Sequence, residues 1–257
     1  MFKYLIHPIG NIFLILILLW GCSSPQYEVR VEGALVAVDS LHAPETDQLI
    51  ESVIAEYRED LEKVMNEVLG YSAHRMERGT PEGLLNNFVA DLVLYKGRNI
   101  YQPADDKPID FCLLNYGGLR TGIPEGPVTR SRIFELMPFE NEMVVVTLTP
   151  EKTMELFEYL AGATVGMPVS DIQLQIENGA VRNIRIGEVP FEPDRNYKVL
   201  TSDYLAGGGD NMTFFMEPVS LELLGVKIRD AIIAHLIEEN QAGRQIQSKL
   251  DGRISIE

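Results

Sequence analysis

The stretch NYGGLRTGIPEGPVTRSRIFELMPFEN, from Asn115 to Asn141, contains the residues that decide the fold and the candidate site. It continues the apolar run of residues 109–115, which predicts a buried strand that ends in a turn with two glycines. Such a turn lets the backbone approach a ligand closely, although a glycine pair by itself more often marks an ordinary turn. Arg120 would project from this turn with five fixed donors that suit phosphate or ribose oxygens.

The remaining chain predicts strands mixed with helices. A strand or ordered arm is expected at residues 26–40, and an amphipathic helix at residues 47–69 that stops at Gly70. A second helix is expected at residues 80–95, with Gly97 as its end. Further on, the pattern predicts strands at residues 142–149 and 197–201, helices at residues 150–162 and 221–239, and a hairpin of residues 172–176 and 181–186 joined by Asn178-Gly179. The fold class predicted is α/β of an α+β-like kind, a mixed sheet flanked by helices.

The first 21 residues have the pattern of a bacterial lipoprotein signal peptide. Lys3 precedes an apolar run at residues 12–20, which is too short to span a membrane and ends at Gly21-Cys22. Cys22 would then be lipidated and anchor the chain to the membrane. The alternative is an export segment with an incidental cysteine. The domains expected are the signal peptide at 1–21, a tether and N-terminal arm at 22–45, and a single domain at 46–257.

Charge and cysteine content narrow the classes of function. The chain has 22 Lys and Arg against 38 Asp and Glu, a formal net charge of −16, so binding to the phosphate backbone of nucleic acids is not expected. Cys112 lies in the apolar run of residues 109–114 and is predicted to be a small buried hydrophobic side chain. With Cys22 lipidated, no intramolecular disulfide can form.

A second stretch, TSDYLAGGGD from Thr201 to Asp210, complements the first. Its three glycines predict a tight loop, and the Asp210 carboxylate could accept hydrogen bonds from two vicinal hydroxyls. The Pro138-Phe139 step of the first stretch is by itself more often part of a core than of a binding surface.

Together these stretches resemble the C-terminal, substrate-binding domain of the 5′-nucleotidase / UDP-sugar hydrolase family. Asn115 and Arg120 match the ligand-contacting positions of the family's N-x-G-G-[IL]-R motif. The resemblance implies that Phe139 stacks on the nucleobase and that Asn141 hydrogen-bonds it. Tyr204, where the family more often has phenylalanine, would form the opposite face of the base sandwich, and Asp210 would bind the ribose hydroxyls.

Two further segments resemble the family less closely. Residues 78–91 are similar to its E-x-x-L-G-N-L-x-A-D segment, with Asn86 in place of the usual glycine. Arg78 is the candidate ligand-binding arginine and Arg75 the alternative, while a solvated arginine at the helix end is the structural interpretation. Residues 166–170 resemble the loop G-x-P-Q-[VF]-S with one residue missing, which would place the backbone of Gly166 near the base.

In this family a separate N-terminal metallophosphatase domain holds two metal ions and performs the hydrolysis. Such a site typically has D-x-H, G-D and G-N-H-[DE] clusters, and none of the four histidines of this chain lies in one. A G-x-S-x-G nucleophile elbow is not found either. The sequence therefore predicts no catalytic residue and no cofactor on this chain, with divalent metal ions on a separate catalytic partner.

The functional hypothesis is the nucleotide- or nucleoside-binding half of a split, exported 5′-nucleotidase, lipid-anchored in the bacterial cell envelope and facing the periplasm. The alternative is a stand-alone periplasmic nucleotide-binding lipoprotein without hydrolysis. A degenerate structural lipoprotein is disfavoured because both aromatic residues, Arg120 and Asp210 are retained. A neighbouring gene for a metallophosphatase would favour the split enzyme.

Overall fold

The computed structural model of the chain describes residue 30, residues 32–35 and residues 47–257. Ser52–Glu257 form one compact unit, which contains the sheets and the candidate site. The signal peptide with Cys22, and most of the arm predicted at residues 26–40, lie outside the described residues; Arg30 and residues 32–35 are in neither a helix nor a strand. Among the described helices, none has the length and apolar character required to cross a membrane.

The helices of the described chain are α1 (Gln48–Met65), α2 (Leu84–Ile100), α3 (Arg130–Leu136), α4 (Pro150–Gly162), α5 (Asp203–Ala206) and α6 (Ile228–Gln241). Short 3-10 helices occur at Tyr116–Gly118, Gly209–Asn211 and Thr213–Phe215. The strands are β1 (Val68–Ser72), β2 (Phe111–Leu113), β3 (Gly126–Thr129), β4 (Glu142–Leu148), β5 (Val169–Ser170), β6 (Ile172–Glu177), β7 (Ala180–Ile186), β8 (Val189–Pro190), β9 (Tyr197–Ser202), β10 (Ser220–Lys227) and β11 (Ile254–Ile256).

These strands form three sheets, and the largest of them positions the candidate site. Its five strands lie in the order β10-β4-β9-β2-β5. Within it β2 and β9 are parallel, whereas the other neighbouring pairs are antiparallel. A four-stranded sheet has the order β11-β6-β7-β8, with β11 parallel to β6, and β1 pairs with β3 in a two-stranded sheet. The predicted fold class, mixed sheets flanked by helices, is confirmed.

The central sheet separates two cores, because successive side chains of a strand point to opposite faces. In β4, Met143 and Val145 pack in the core formed with α2, α3 and α6. Val144, Val146 and Leu148 pack in the other core, formed with α4 and the four-stranded sheet. Cys112 is fully buried in the first core, which confirms its predicted structural role, and burial raises the pKa of its thiol.

Local sequence patterns predicted several elements correctly. Helix α4 spans the predicted residues, and the Thr149 side chain caps it by accepting a hydrogen bond from the Lys152 backbone N–H at 3.4 Å. The hairpin β6–β7 is also confirmed. Its turn residues Asn178 and Gly179 have φ angles of 53° and 74°, the left-handed values that an Asn-Gly hairpin turn requires.

The amphipathic helix predicted at residues 47–69 is too long. It ends at Met65, and residues 68–72 form β1, which pairs antiparallel with β3. Gly70 is therefore a strand residue, and a Cβ there would lie 2.9 Å from the Leu236 carbonyl oxygen. No residue of α1 is buried, so its apolar side chains lie on an exposed face.

Two other predicted elements are corrected. Gly97 does not end the second helix, since α2 continues to Ile100. A Cβ at Gly97 would lie 2.4 Å from Cδ2 of Leu200, so the glycine allows α2 to pack closely on β9. The helix predicted at residues 221–239 is a strand in its first part, because residues 220–227 form β10 against β4 and α6 begins only at Ile228.

Candidate functional site

The topology of the central sheet brings the two diagnostic stretches to one edge. Because β2 and β9 are parallel, the residues that follow them, including Asn115 and Tyr204, emerge at the same edge of the sheet. Strand β4 is antiparallel to β9 and begins there, with Met143 opposite Ser202. The segment that precedes β4, with Phe139 and Asn141, therefore reaches this edge as well.

The side chain of Asp210 joins two of these loops. Its Oδ2 accepts a hydrogen bond from Asn115 Nδ2 at 2.6 Å, and its Oδ1 accepts one from the Tyr204 hydroxyl at 2.8 Å. The Tyr204 hydroxyl in turn accepts from the Asp210 backbone N–H at 3.3 Å, and Tyr159 donates to the Asp210 carbonyl at 3.0 Å. Each carboxylate oxygen keeps further acceptor capacity, so the fixed carboxylate can bind a vicinal diol.

The electrostatics of this cluster keep both tyrosines protonated at neutral pH. The hydrogen bond to Asp210 raises the pKa of Tyr204 above its usual value of 10.0. Burial raises the pKa of Tyr159, and the nearby charge of Asp210 adds to the effect. Both hydroxyls therefore remain hydrogen-bond donors to Asp210.

Two glycines are required by the close packing of this cluster. A Cβ at Gly209 would lie 2.5 Å from the Tyr204 ring, and a Cβ at Gly118 would lie 2.6 Å from Oδ1 of Asn115. The glycines of both sequence stretches therefore allow the loops to fold tightly around the Tyr204 ring and the Asn115 side chain.

Arg78 lies beside the loop that follows β2. Its guanidinium carbon is 4.2 Å from the centre of the Tyr116 ring, and its Nη1 donates a long hydrogen bond of 3.4 Å to the Tyr116 carbonyl. Arg75, the alternative candidate, forms an exposed ion pair with Glu77 at 2.5 Å. The structure thus brings Arg78 to the loop of Asn115, while its role as a ligand-binding arginine stays a prediction.

Arg120 is exposed at the end of the same loop. Its Nη1 donates a hydrogen bond to the Gly117 carbonyl at 3.3 Å. Its backbone N–H donates to the Leu136 carbonyl at 2.8 Å, which joins this loop to the end of α3. The guanidinium keeps further donors for a ligand.

Gly166 packs against the segment of Arg78. Its backbone N–H donates to Thr80 Oγ1 at 3.1 Å, and its carbonyl accepts from the side chain of Asn86. A Cβ at Gly166 would lie 2.2 Å from the Gly79 carbonyl oxygen. The glycine is thus needed for loop packing, and its predicted contact with the base stays a prediction.

Sequence reasoning did not recognise the role of Asn86. Its side chain is fully buried and also bonds the backbone of Gly79, accepting from the N–H at 3.3 Å. It therefore ties the start of α2 to both neighbouring loops. In the sequence Asn86 stands out only as a departure from the family's glycine, and no local pattern shows that it is buried or that it bonds Gly79 and Gly166.

Phe139 and Tyr204 are both accessible to a ligand, with relative exposures of 41% and 47%. Asn141 is half-buried, and its carbonyl accepts a hydrogen bond from the Ile228 backbone N–H at 3.0 Å. The structure places both aromatic residues at the same sheet edge, but the base sandwich itself stays a prediction. In residues 30, 32–35 and 47–257, no group of three or more His, Cys, Asp or Glu side chains is arranged to hold a metal ion.

The loops that meet around Asp210 are those of a substrate-binding domain. Comparison with known proteins identifies its family. Residues 63–217, more than half of the chain, match the family model described as "5'-nucleotidase, C-terminal domain". The chain belongs to this family.

Individual relatives agree with this assignment. The chain is 26% identical over 226 residues to the trifunctional nucleotide phosphoesterase protein YfkN of Bacillus subtilis, covering 77% of this chain and 14% of that protein. It is 24% identical over 230 residues to an apyrase of Tabanus yao, covering 80% and 41%. The structure of a 5′-nucleotidase precursor from Thermus thermophilus superposes with a TM-score of 0.67 at 22% identity, covering 81% of this chain and 43% of that one. The chain thus spans less than half the length of these relatives.

Proposed function

We propose that this chain is the nucleotide- or nucleoside-binding half of a split, exported 5′-nucleotidase that takes part in nucleotide catabolism. The observation that carries the binding role is the Asp210 carboxylate, which Asn115 and Tyr204 hold between two loops at one sheet edge. A carboxylate fixed in this way suits the two adjacent hydroxyls of a ribose. The family membership and the names of the relatives, a nucleotide phosphoesterase and an apyrase, support the same ligand class.

In this proposal Phe139 and Tyr204 hold the base, and Asn141 and the backbone of Gly166 contact its edge. Asn115 positions Asp210 for the ribose. Arg120 and Arg78 supply charged donors for the ribose or phosphate oxygens. Their position at the loop after β2 supports this assignment, because Arg78 contacts Tyr116 and Arg120 bonds the Gly117 carbonyl of that loop.

The catalytic partner is proposed to be a separate metallophosphatase-domain protein that supplies two divalent metal ions. The metal ions would activate a water molecule for attack on the phosphate. The absence of D-x-H and G-N-H-[DE] clusters from this sequence supports a separate catalytic domain. This chain would contribute the binding and orientation of the substrate.

We expect the purified chain to bind adenosine or uridine but not to hydrolyse AMP, ADP or UDP-glucose, even with Mn²⁺, Zn²⁺ or Co²⁺. The expected result follows from a binding loop cluster without a metal-ligand set. Binding is measured by isothermal titration calorimetry, and hydrolysis by the release of phosphate or glucose 1-phosphate.

Metal-dependent hydrolysis by a preparation free of other phosphatases would contradict the separate catalytic domain. Failure to bind any nucleoside or nucleotide would contradict the binding role. If the chain binds a nucleoside and no metallophosphatase gene lies beside its own gene, the stand-alone binding lipoprotein would be favoured.

Cys22 is proposed as the site of lipidation, so that a lipid anchors the chain in the bacterial cell envelope, facing the periplasm. The sequence supports this through the apolar run at residues 12–20 that ends at Gly21-Cys22. We expect mass spectrometry of the cell-derived N-terminal peptide to begin at Cys22 with an added acyl mass. A peptide that begins elsewhere, or an unmodified Cys22, would exclude the anchor.

A further inference from the structure

The loop that carries Phe139 rests on a buried arginine. Arg229, in the first turn of α6, is only 5% exposed. Its Nη1 lies 3.4 Å from the carbonyl oxygens of both Met137 and Phe139, at the long end of the hydrogen-bonding range. One guanidinium thus contacts the main chain on both sides of Pro138.

The neighbouring residue Glu140 strengthens this contact. Its carboxylate forms ion pairs with Arg229 through Oε1 and with Lys227 through Oε2. Hydrogen bonds first from Lys227 and then from Arg229 lower the pKa of Glu140 to about 2, so it is ionised at neutral pH. The Ile228 backbone N–H also donates to the Asn141 carbonyl at 3.0 Å. Residues 227–229 therefore hold residues 137–141 at several points.

The direction of the Arg229 side chain is itself fixed. Its guanidinium carbon lies 4.2 Å from the centre of the Phe134 ring, which belongs to α3. Its Nε is buried and has no hydrogen-bond partner in the described chain. Glu140 is exposed, and ion pairs with an exposed carboxylate contribute little to stability, so stability alone is a weak reason for this arrangement.

We propose that Arg229, together with Glu140 and Lys227, is a positioning residue that fixes the Phe139 ring for stacking on the nucleobase. This inference rests on the proposed nucleoside-binding function. It adds a determinant of base binding that lies on α6, outside the segment matched by the family model. We call the contacts of Arg229, Glu140 and Lys227 with residues 137–141 the clamp. Its loss should leave the Asp210 carboxylate in place, since Asp210 is bonded by Asn115 and Tyr204.

The first experiment needs no ligand. Hydrogen–deuterium exchange is measured at the amides of Met137 and Ile228, which donate to the carbonyls of Ile133 and Asn141 at 2.9 and 3.0 Å, in the wild-type chain and in Arg229→Met and Glu140→Gln. We expect exchange in both variants to be about tenfold faster than in the wild type. Arg244→Met is the matched control, because Arg244 lies just after the same helix and forms an exposed pair with Glu239 at 2.7 Å.

The second experiment separates positioning from general destabilisation. We expect both variants to weaken adenosine binding by about tenfold while ribose 5-phosphate, which has no base, binds as in the wild type. Arg229→Lys keeps the charge but loses the planar guanidinium, so its adenosine affinity should lie between those of the wild type and Arg229→Met.

Unchanged exchange of the Met137 and Ile228 amides in Glu140→Gln, or equal losses of affinity for adenosine and ribose 5-phosphate, would overturn the inference. If Arg229→Met does not fold, Glu140→Gln decides the question alone, because Glu140 is 61% exposed in its side chain and its replacement leaves the cores untouched. If the wild-type chain binds neither ligand, the proposed function fails, and the exchange experiment still tests the clamp.

Discussion

Replacing Phe139 or Tyr204 with alanine is expected to weaken adenosine binding by about 1–3 kcal/mol each, the energy of stacking a base on an aromatic side chain. Both rings are accessible at one sheet edge, with exposures of 41% and 47%. Tyr204→Ala also removes a hydrogen bond to Asp210 and should therefore have the larger effect. Calorimetric titration with adenosine measures both losses.

The control is Tyr71→Ala, which removes a tyrosine of similar exposure, 44%, from β1 and should leave adenosine binding unchanged. Wild-type affinity in Phe139→Ala would rule out base stacking on this ring.

Arg120→Ala should weaken AMP binding more than adenosine binding, because charge-assisted hydrogen bonds to the phosphate are lost. Equal losses for AMP and adenosine in Arg120→Ala would exclude a phosphate role.

Replacing Arg253 with methionine is expected to lower the free energy of unfolding by about 3 kcal/mol, the lower end of the range for breaking a buried ion pair. Arg253 is 7% exposed and bonds Asp91 at 2.7 and 3.0 Å, Asp251 at 2.9 and 2.7 Å, and the Val169 carbonyl at 2.7 Å. It therefore ties the C-terminal segment to α2 and β5. The carboxylates keep some contact with solvent, which limits the loss. Urea unfolding followed by circular dichroism measures the change.

Arg182→Met is the matched control, because Arg182 forms an exposed pair with Glu177 at 2.8 Å and its loss should cost less than about 1 kcal/mol. The hydrogen bond from Arg253 also holds the pKa of Asp251 below 3.8. The stabilisation from the Arg253–Asp251 pair is therefore fully present above pH 3.8 and is lost as the pH falls through the lowered pKa of Asp251. Equal unfolding free energies for the two variants would show that the network does not stabilise the fold.

Much of the fold could be predicted because its signals are local. The Asn178-Gly179 turn between alternating runs favours one geometry, and Thr149-Pro150 combines a capping side chain with a proline in the first turn of a helix. The errors arose where local pattern and tertiary packing compete. Residues 68–72 continue a helical apolar spacing but pair with β3, and residues 220–227 gain ladder hydrogen bonds from β4.

The residues of the candidate site also fall into those that the sequence could identify and those that it could not. Asn115, Tyr204 and Asp210 could be found because the motifs around them resemble those of the family, and the structure joins all three through hydrogen bonds. Asn86 and Arg229 could not be found, because each acts on backbone groups far away in the sequence. Arg229 contacts Phe139 across 90 residues and Asn86 contacts Gly166 across 80.

The sequence by itself determined the family, through the motifs that resemble it, and the positions of several strands and helices. Those elements could be predicted because helix caps, hairpin turns and strand alternation act within a few residues. Only the tertiary structure decided that Gly97 is a contact point rather than a helix end and that a buried arginine supports the Phe139 loop. The parallel pairing of β2 with β9 decided which loops meet at one edge, because pairing distant strands depends on the packing of both cores.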